Sequence, residues 1–195
     1  MIQSVIDNLT RKIELTQEEI ELFCSKLTHK KIKKNKLIHL EGSIMHHFYF
    51  VSSGLLRLYT SSKNFDEQTF EFCYENTWIA DLHSLQEHQP SKINIETLED
   101  CEIYTLHTSD VIVLHELIPA LEKFSRKHAE ERYIEAMLRI QHLYHPNLTA
   151  LERFESFCQY YPMLQHRIST QHLASFLGVV PETISRLKRQ YSIQK

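Results

Sequence analysis

The side chains of this chain best suited to recognising another molecule stand between Ser169 and Gln190. Glu182, Ser185, Arg186 and Arg189 fall three to four residues apart, so on a helix they share one face. A guanidinium placed there donates bidentately to O6 and N7 of guanine. A carboxylate accepts from cytosine N4, and a short hydroxyl reaches a base or a phosphate. Lys188 and Arg189 suit phosphates, which set affinity rather than sequence. As a plain surface i,i+4 pair, Glu182 and Arg186 would contribute only about 0.2–0.5 kcal/mol. Ser169, Thr170 and Gln171, opening an earlier helical run, complete the candidate DNA-contacting set together with Pro181 and Thr183.

Positioning these groups requires two short packed helices. Leu173, Leu177, Val179, Ile184 and Leu187 are spaced to line their inner faces, and Ala174 is small where the helices would press together. Gly178 falls where the connecting turn needs positive φ, which glycine adopts without a Cβ penalty. Pro181 suits the first position of the second helix, where its missing N–H costs nothing. Val180 stands where an N-cap Ser or Thr is expected, which forfeits about 1 kcal/mol. The pattern is that of a helix-turn-helix whose second helix faces a DNA major groove.

The net charge of −3 looks wrong for a nucleic-acid binder until it is resolved by region. From Met163 onward the chain carries +4, which leaves −7 for the rest. A basic tail on an acidic body is expected of a DNA-binding module joined to something else. The chain has 195 residues, 42% of them hydrophobic and 24% charged, enough for one ordinary domain and a small one. No segment approaches the roughly 20 uninterrupted apolar residues of a membrane span. No signal-peptide core is evident, so a cytoplasmic location is expected. Cys24, Cys73, Cys101 and Cys158 are scattered, as free thiols of a reducing compartment would be.

The remaining segments suggest what that something else is. Thr16 and Glu19 form a capping-box pattern ahead of Ile20, Phe23, Cys24 and Leu27 at helical spacing. A lysine run, Lys30 to Lys36, reads as a solvated strand and turn. From Leu37 to Leu106 short aromatic and β-branched runs alternate with turn signals such as Glu41-Gly42-Ser43 and Ser52-Ser53-Gly54. These predict a β-sandwich, roll or barrel. Val111 to Leu117 predict a short helix. From Ala120 to about Tyr144 runs a glycine- and proline-free stretch longer than the usual about 8–20 residues. Leu121, Phe124, Ile134, Met137 and Leu138 line it, and a dimerisation helix is expected because a helix-turn-helix usually reads two half-sites. His145-Pro146-Asn147 breaks it, and Leu148 to Tyr161 predict another helix that Pro162 stops.

This order of elements resembles the Crp/Fnr family of bacterial transcription regulators over essentially the whole chain. Gly42 and Gly54 match turn glycines of the family's cyclic-nucleotide-binding roll, and Glu182-Thr183-Ile184-Ser185-Arg186 resembles the recognition-helix signature of the Fnr branch. The resemblance implies an α+β protein. A double-stranded β-helix, the cyclic-nucleotide-binding-like jelly roll, would occupy residues 1–118, a long dimerisation helix 119–145, and an all-α helix-turn-helix domain 146–195. It implies double-stranded DNA, a second copy of the chain and RNA polymerase as partners. In the family's cyclic-AMP binders a glycine-glutamate pair holds the ribose, and an arginine followed by a small hydroxyl residue pairs with the cyclic phosphate. Here the candidate effector-pocket residues are Trp78, Ala80, Asp81, Leu82, Ser91 and Lys92. Ala80 replaces the glycine, Asp81 is a shorter acid, and Lys92 offers a point charge without the bidentate fork. Cyclic AMP is therefore not expected as a cofactor, although another small effector would fit the family pattern. A single N-terminal cysteine, Cys24, does not make an iron–sulfur cluster. The chain stops five residues after Gln190, so the family's wing is expected to be missing or vestigial.

The competing class is a metal-dependent enzyme on a cupin-like roll, raised by 13 histidines. Such sites want histidines and a carboxylate facing together. His46 and His47 are adjacent, so on a strand they point to opposite faces. No His-Glu-x-x-His, nucleophile elbow or P-loop is present. The expectation is a DNA-binding regulator with no catalytic or metal site.

Overall fold

The structure is a computed structural model that describes residues 2–62, 66–143 and 145–193. The chain divides into two compact units. The first comprises residues 1–60 and 72–130, and the second residues 61–71 and 131–195.

Helices α1 (Ile2–Thr10) and α2 (Gln17–Ser25) open the first unit. The Thr16 hydroxyl accepts from Glu19 N at 3.2 Å, and Thr16 N donates to the Glu19 carboxylate at 2.7 Å, so the expected capping box starts α2. Eight strands follow: β1 (Thr28–Ile32), β2 (Leu37–His39), β3 (His47–Ser53), β4 (Leu56–Ser61), β5 (Glu67–Cys73), β6 (Trp78–Ile79), β7 (Asn94–Thr97) and β8 (Cys101–His107). They form two four-stranded sheets, ordered β1-β8-β3-β6 and β2-β7-β4-β5. Antiparallel pairing sets Phe50 opposite Tyr104 and Val51 opposite Ile103. The period-2 alternation then sends the two pairs to opposite faces of the sheet. Phe50, Tyr104 and Leu106 join Val5, Leu9, Phe23 and Trp78 in one buried core. Leu114 and Ile118, from α4 (Thr108–Leu117) and its C-cap, belong to the same core.

The turn at Gly54 is tightly constrained. Its φ is +103°, and a Cβ there would lie 2.5 Å from Cys101 Sγ and 2.8 Å from Asp100 O. Glycine is the one residue that meets both conditions. Helix α3 (Leu82–Glu87), which the sequence pattern did not signal, starts at Asp81 with a side-chain cap.

Helix α5 (Ala120–Leu143) has 24 residues and continues from one unit into the other. In the second unit α6 (Ala150–Tyr160) begins with its own capping box, Thr149 with Glu152. A 3-10 turn at Pro162–Leu164 leads to α7 (Thr170–Leu177) and α8 (Pro181–Ile193). Phe154, Phe157, Leu164, Ile168, Leu173, Phe176, Leu177, Ile184 and Leu187 are buried and form its apolar interior. Phe157 and Phe176 meet edge to face at 5.9 Å, a geometry that adds about 0.5–1.5 kcal/mol to the area term. All four cysteines are free thiols, three of them buried. No helix among the described residues is long and apolar enough to cross a membrane.

Candidate nucleic-acid interface

Helix α7 starts where Ser169 Oγ accepts from His172 N at 3.1 Å, and it ends at Gly178 with φ +67°. Val179 N returns to Ala174 O at 3.0 Å, closing the turn. Arg153 on α6 donates to Leu177 O at 3.2 Å, satisfying one of the orphan carbonyls at the end of α7. Ala174 is 2% exposed at the helix contact, and α8 begins at Pro181. The chain thus folds here as its spacing predicts.

That framework buries Ile184 and Leu187 and turns the intervening residues outward. Pro181, Glu182, Arg186 and Arg189 are exposed, while Thr183 and Ser185 are half-buried beside them. Glu182 and Arg186 form no ion pair with each other among the described residues. Lys188 differs from its neighbours. It is half-buried, and its Nζ donates to Ile168 O at 3.4 Å, with burial holding its pKa below the usual lysine value. It therefore leaves the row of outward groups. At the start of α7, Gln171 is exposed, Thr170 is half-buried, and the Ser169 hydroxyl is occupied as the cap.

Within the same unit, residues 66–71 reach α7 and α5 through contacts the sequence did not signal. Ser175 Oγ donates to Glu67 O at 2.6 Å and accepts from Thr69 N at 2.9 Å, and Gln68 Nε2 donates to Ser175 O. Glu71 pairs with Arg132 and stands 3.7 Å from Arg139. These partners are more than a hundred residues apart at Ser175, beyond the reach of any local pattern.

Of the effector-pocket candidates, the fold brings Asp81 and Ser91 into direct contact. Trp78 is a core residue, because its indole N–H donates to Asn8 Oδ1 at 3.2 Å and its ring meets Phe50 and Phe23. Asp81 caps α3 by accepting from Ser84 N at 3.2 Å, and it accepts from Ser91 Oγ at 2.7 Å. Its carboxylate is thus engaged with the fold itself. Leu82 and Lys92 are exposed, and Ala80 is half-buried.

The seam candidates on α5 also separate. Leu121 and Phe124 are 3% and 8% exposed and sit in the core of the first unit, so they belong to no free seam. Helix α4 and the N-terminal helices already cover that face. Ile134, Met137 and Leu138 are exposed, and so are Tyr133 and Ile140 beside them. Among the described residues no group of three or more His, Cys, Asp or Glu could hold a metal ion. His46 stacks on His107 and His47 meets the same ring edge-on, without a carboxylate completing a ligand set.

Residues 29–116 match the model of the cyclic nucleotide-binding domain. FixK2 from Bradyrhizobium japonicum superposes with a TM-score of 0.73 at 18% identity, over 86% of this chain and 85% of that one. The c-di-GMP-responsive global regulator CLP of Xanthomonas campestris gives 0.72 at 16% identity, over 92% and 93%. A protein assigned to the Crp/Fnr family of transcriptional regulators, from Eubacterium rectale, gives 0.69 at 19% identity, over 92% and 85%. This chain is Crp/Fnr-type in fold. The domain-model match lies in residues 29–116, and the likeness in fold to these solved structures extends over the C-terminal helices. No curated protein sequence matches it.

Proposed function

We propose that the chain is a sequence-specific DNA-binding transcription regulator that acts in the cytoplasm as a homodimer on a near-palindromic site. The observation that carries this reading is the exposed face of α8, where Glu182, Arg186 and Arg189 project from a helix anchored by Ile184 and Leu187. Arg186 reads guanine, Glu182 accepts from cytosine or orients Arg186, and Ser185 completes the base-edge group. Arg189 holds a phosphate, as do the start of α7 and the first turn of α8. The exposed Ile134, Met137 and Leu138 of α5 form the seam with a second copy, which sets two recognition helices about 34 Å apart. RNA polymerase is the implied protein partner.

Tight cyclic-AMP binding does not belong to this reading. The Asp81 carboxylate is engaged by Ser84 and Ser91, and Lys92 points to solvent with no arginine fork beside it. The roll acts with another small effector or constitutively. A gel-shift assay at fixed salt tests the assignment. Arg186→Ala relaxes the preference at one base position, and Arg189→Ala weakens all sequences alike. If operator binding survives both changes intact, α8 is not the reading helix.

A further inference from the structure

The first turn of α4 is held by two acceptors that come from histidines. His107 is the N-cap: its Nδ1 accepts from Ser109 N at 3.2 Å and lies 2.8 Å from Ser109 Oγ. The backbone oxygen of His46 accepts from Thr108 N at 3.0 Å. An imidazole nitrogen that accepts from an amide carries no proton, so His107 caps α4 only as the neutral ring with its proton on Nε2. Serine, threonine, aspartate and asparagine, the usual caps, keep their acceptor oxygens through the neutral range. Other imidazoles crowd the ring. His46 stacks on it at 6.1 Å between centroids, and His47, its cross-strand partner on β3, meets it edge-on at 5.0 Å. Burial, then His107, Lys30 of β1 and His46, hold the His47 imidazole below its usual value. Asp110, in the first turn of α4, pairs with Lys26 at 3.2 Å. Further along β1 and β8, His29 and Lys31 share the Glu102 carboxylate, while His39 of β2 lies within the fields of Asp81 and His46.

We propose that His107 is a proton-operated cap, which holds the start of α4 while neutral and releases it when the ring takes up a proton. The protonated Nδ1 turns from acceptor to donor. It keeps Ser109 Oγ as an acceptor but leaves the Ser109 amide N–H without one, and it sets a positive charge at the positive end of the helix dipole. His46 and His47 repel it further as they charge in turn. The half-buried His107 ring remains in reach of solvent protons. Helix α4 carries Leu114 into the core of the first unit, so the cap governs how firmly the segment between β8 and α5 is held. The device lies within the first unit and stands whether or not α8 reads DNA.

Amide hydrogen exchange of the full chain, expressed as protection factors at each pH, tests the proposal. Between about pH 7.5 and about pH 5.5, protection at Ser109 and through the first half of α4 is expected to fall about tenfold relative to α2. Helix α2 is the internal reference because its Thr16–Glu19 capping box contains no histidine. Asparagine and serine accept without titrating, so His107→Asn and His107→Ser are each expected to remove this pH dependence. In the unaltered chain, the His107 nitrogen chemical shifts at about pH 7.5 are expected to show Nδ1 unprotonated and Nε2 protonated. A protonated Nδ1 at that pH, α4 protection that tracks α2 throughout, or an acid loss that persists in either variant would each overturn the assignment.

Discussion

The two units use their polar groups in opposite ways. In the roll, the polar side chains around Asp81 and Thr97 are consumed internally. Asp81 caps α3 and accepts from Ser91, Ser84 donates onward to Gln89 O, and Thr97 ties down Lys33 and Lys36. In the helix-turn-helix, Glu182, Arg186 and Arg189 project into solvent from a buried apolar base. Polar groups committed to a fold lend it stability, whereas groups left in water are available to a partner. In the reading proposed above, recognition falls to α8, while the loop at Asp81 serves the fold itself.

Two glycines give the largest expected contrast. Gly54→Ala meets Cys101 and Asp100 at sub-contact distances and is strained at φ +103°, so it should cost about 3 kcal/mol or more in chemical unfolding. Gly178→Ala, with its nearest neighbour at 3.7 Å, should cost only about 1 kcal/mol. A smaller loss at Gly54 would show the roll to be looser than its contacts imply.

Next in size is Arg186→Ala, expected to lose about 1–3 kcal/mol of discrimination at one base position, as read from binding to single-substituted operators. Asp81→Ala should remove about 1–2 kcal/mol of folding stability by uncapping α3 and releasing Ser91. Operator affinity at saturating fold should stay unchanged. Arg189→Ala should lower the slope of log K against log salt by about 1, and Lys188→Met should leave that slope as it is.

The smallest effect is one of pH. Burial holds the His39 and His47 imidazoles below their usual value, and neighbouring His107 and His46 add to this at His47. Below about pH 6.5 the unfolded chain therefore takes up protons that the folded chain resists. Stability present at neutral pH should fall as the pH drops through that region, and His39→Gln should flatten the decline measured by denaturant midpoints.

The helix-turn-helix was legible because each of its instructions is local. Gly178 sets the turn, Pro181 the first residue of α8, and Leu173, Ile184 and Leu187 the buried face. The capping boxes at Thr16 and Thr149 are local as well. What the sequence did not disclose depends on long-range packing. The setting of Trp78 depends on Asn8, seventy positions earlier, which accepts from its indole N–H. Leu121 and Phe124 share the helical spacing of Ile134 and Met137, yet only the tertiary core separates buried from exposed. Lys188 carries the charge of a phosphate contact, yet its Nζ donates to Ile168 O, twenty positions earlier.

The most direct test is fluorescence anisotropy of the full chain on near-palindromic duplexes selected from a random pool, measured with and without cyclic AMP. The account predicts a selected site bound at least about 10³-fold more tightly than random duplex, with the same affinity in both conditions. Failure to select any site, or selective binding that appears only when cyclic AMP is added, would contradict it.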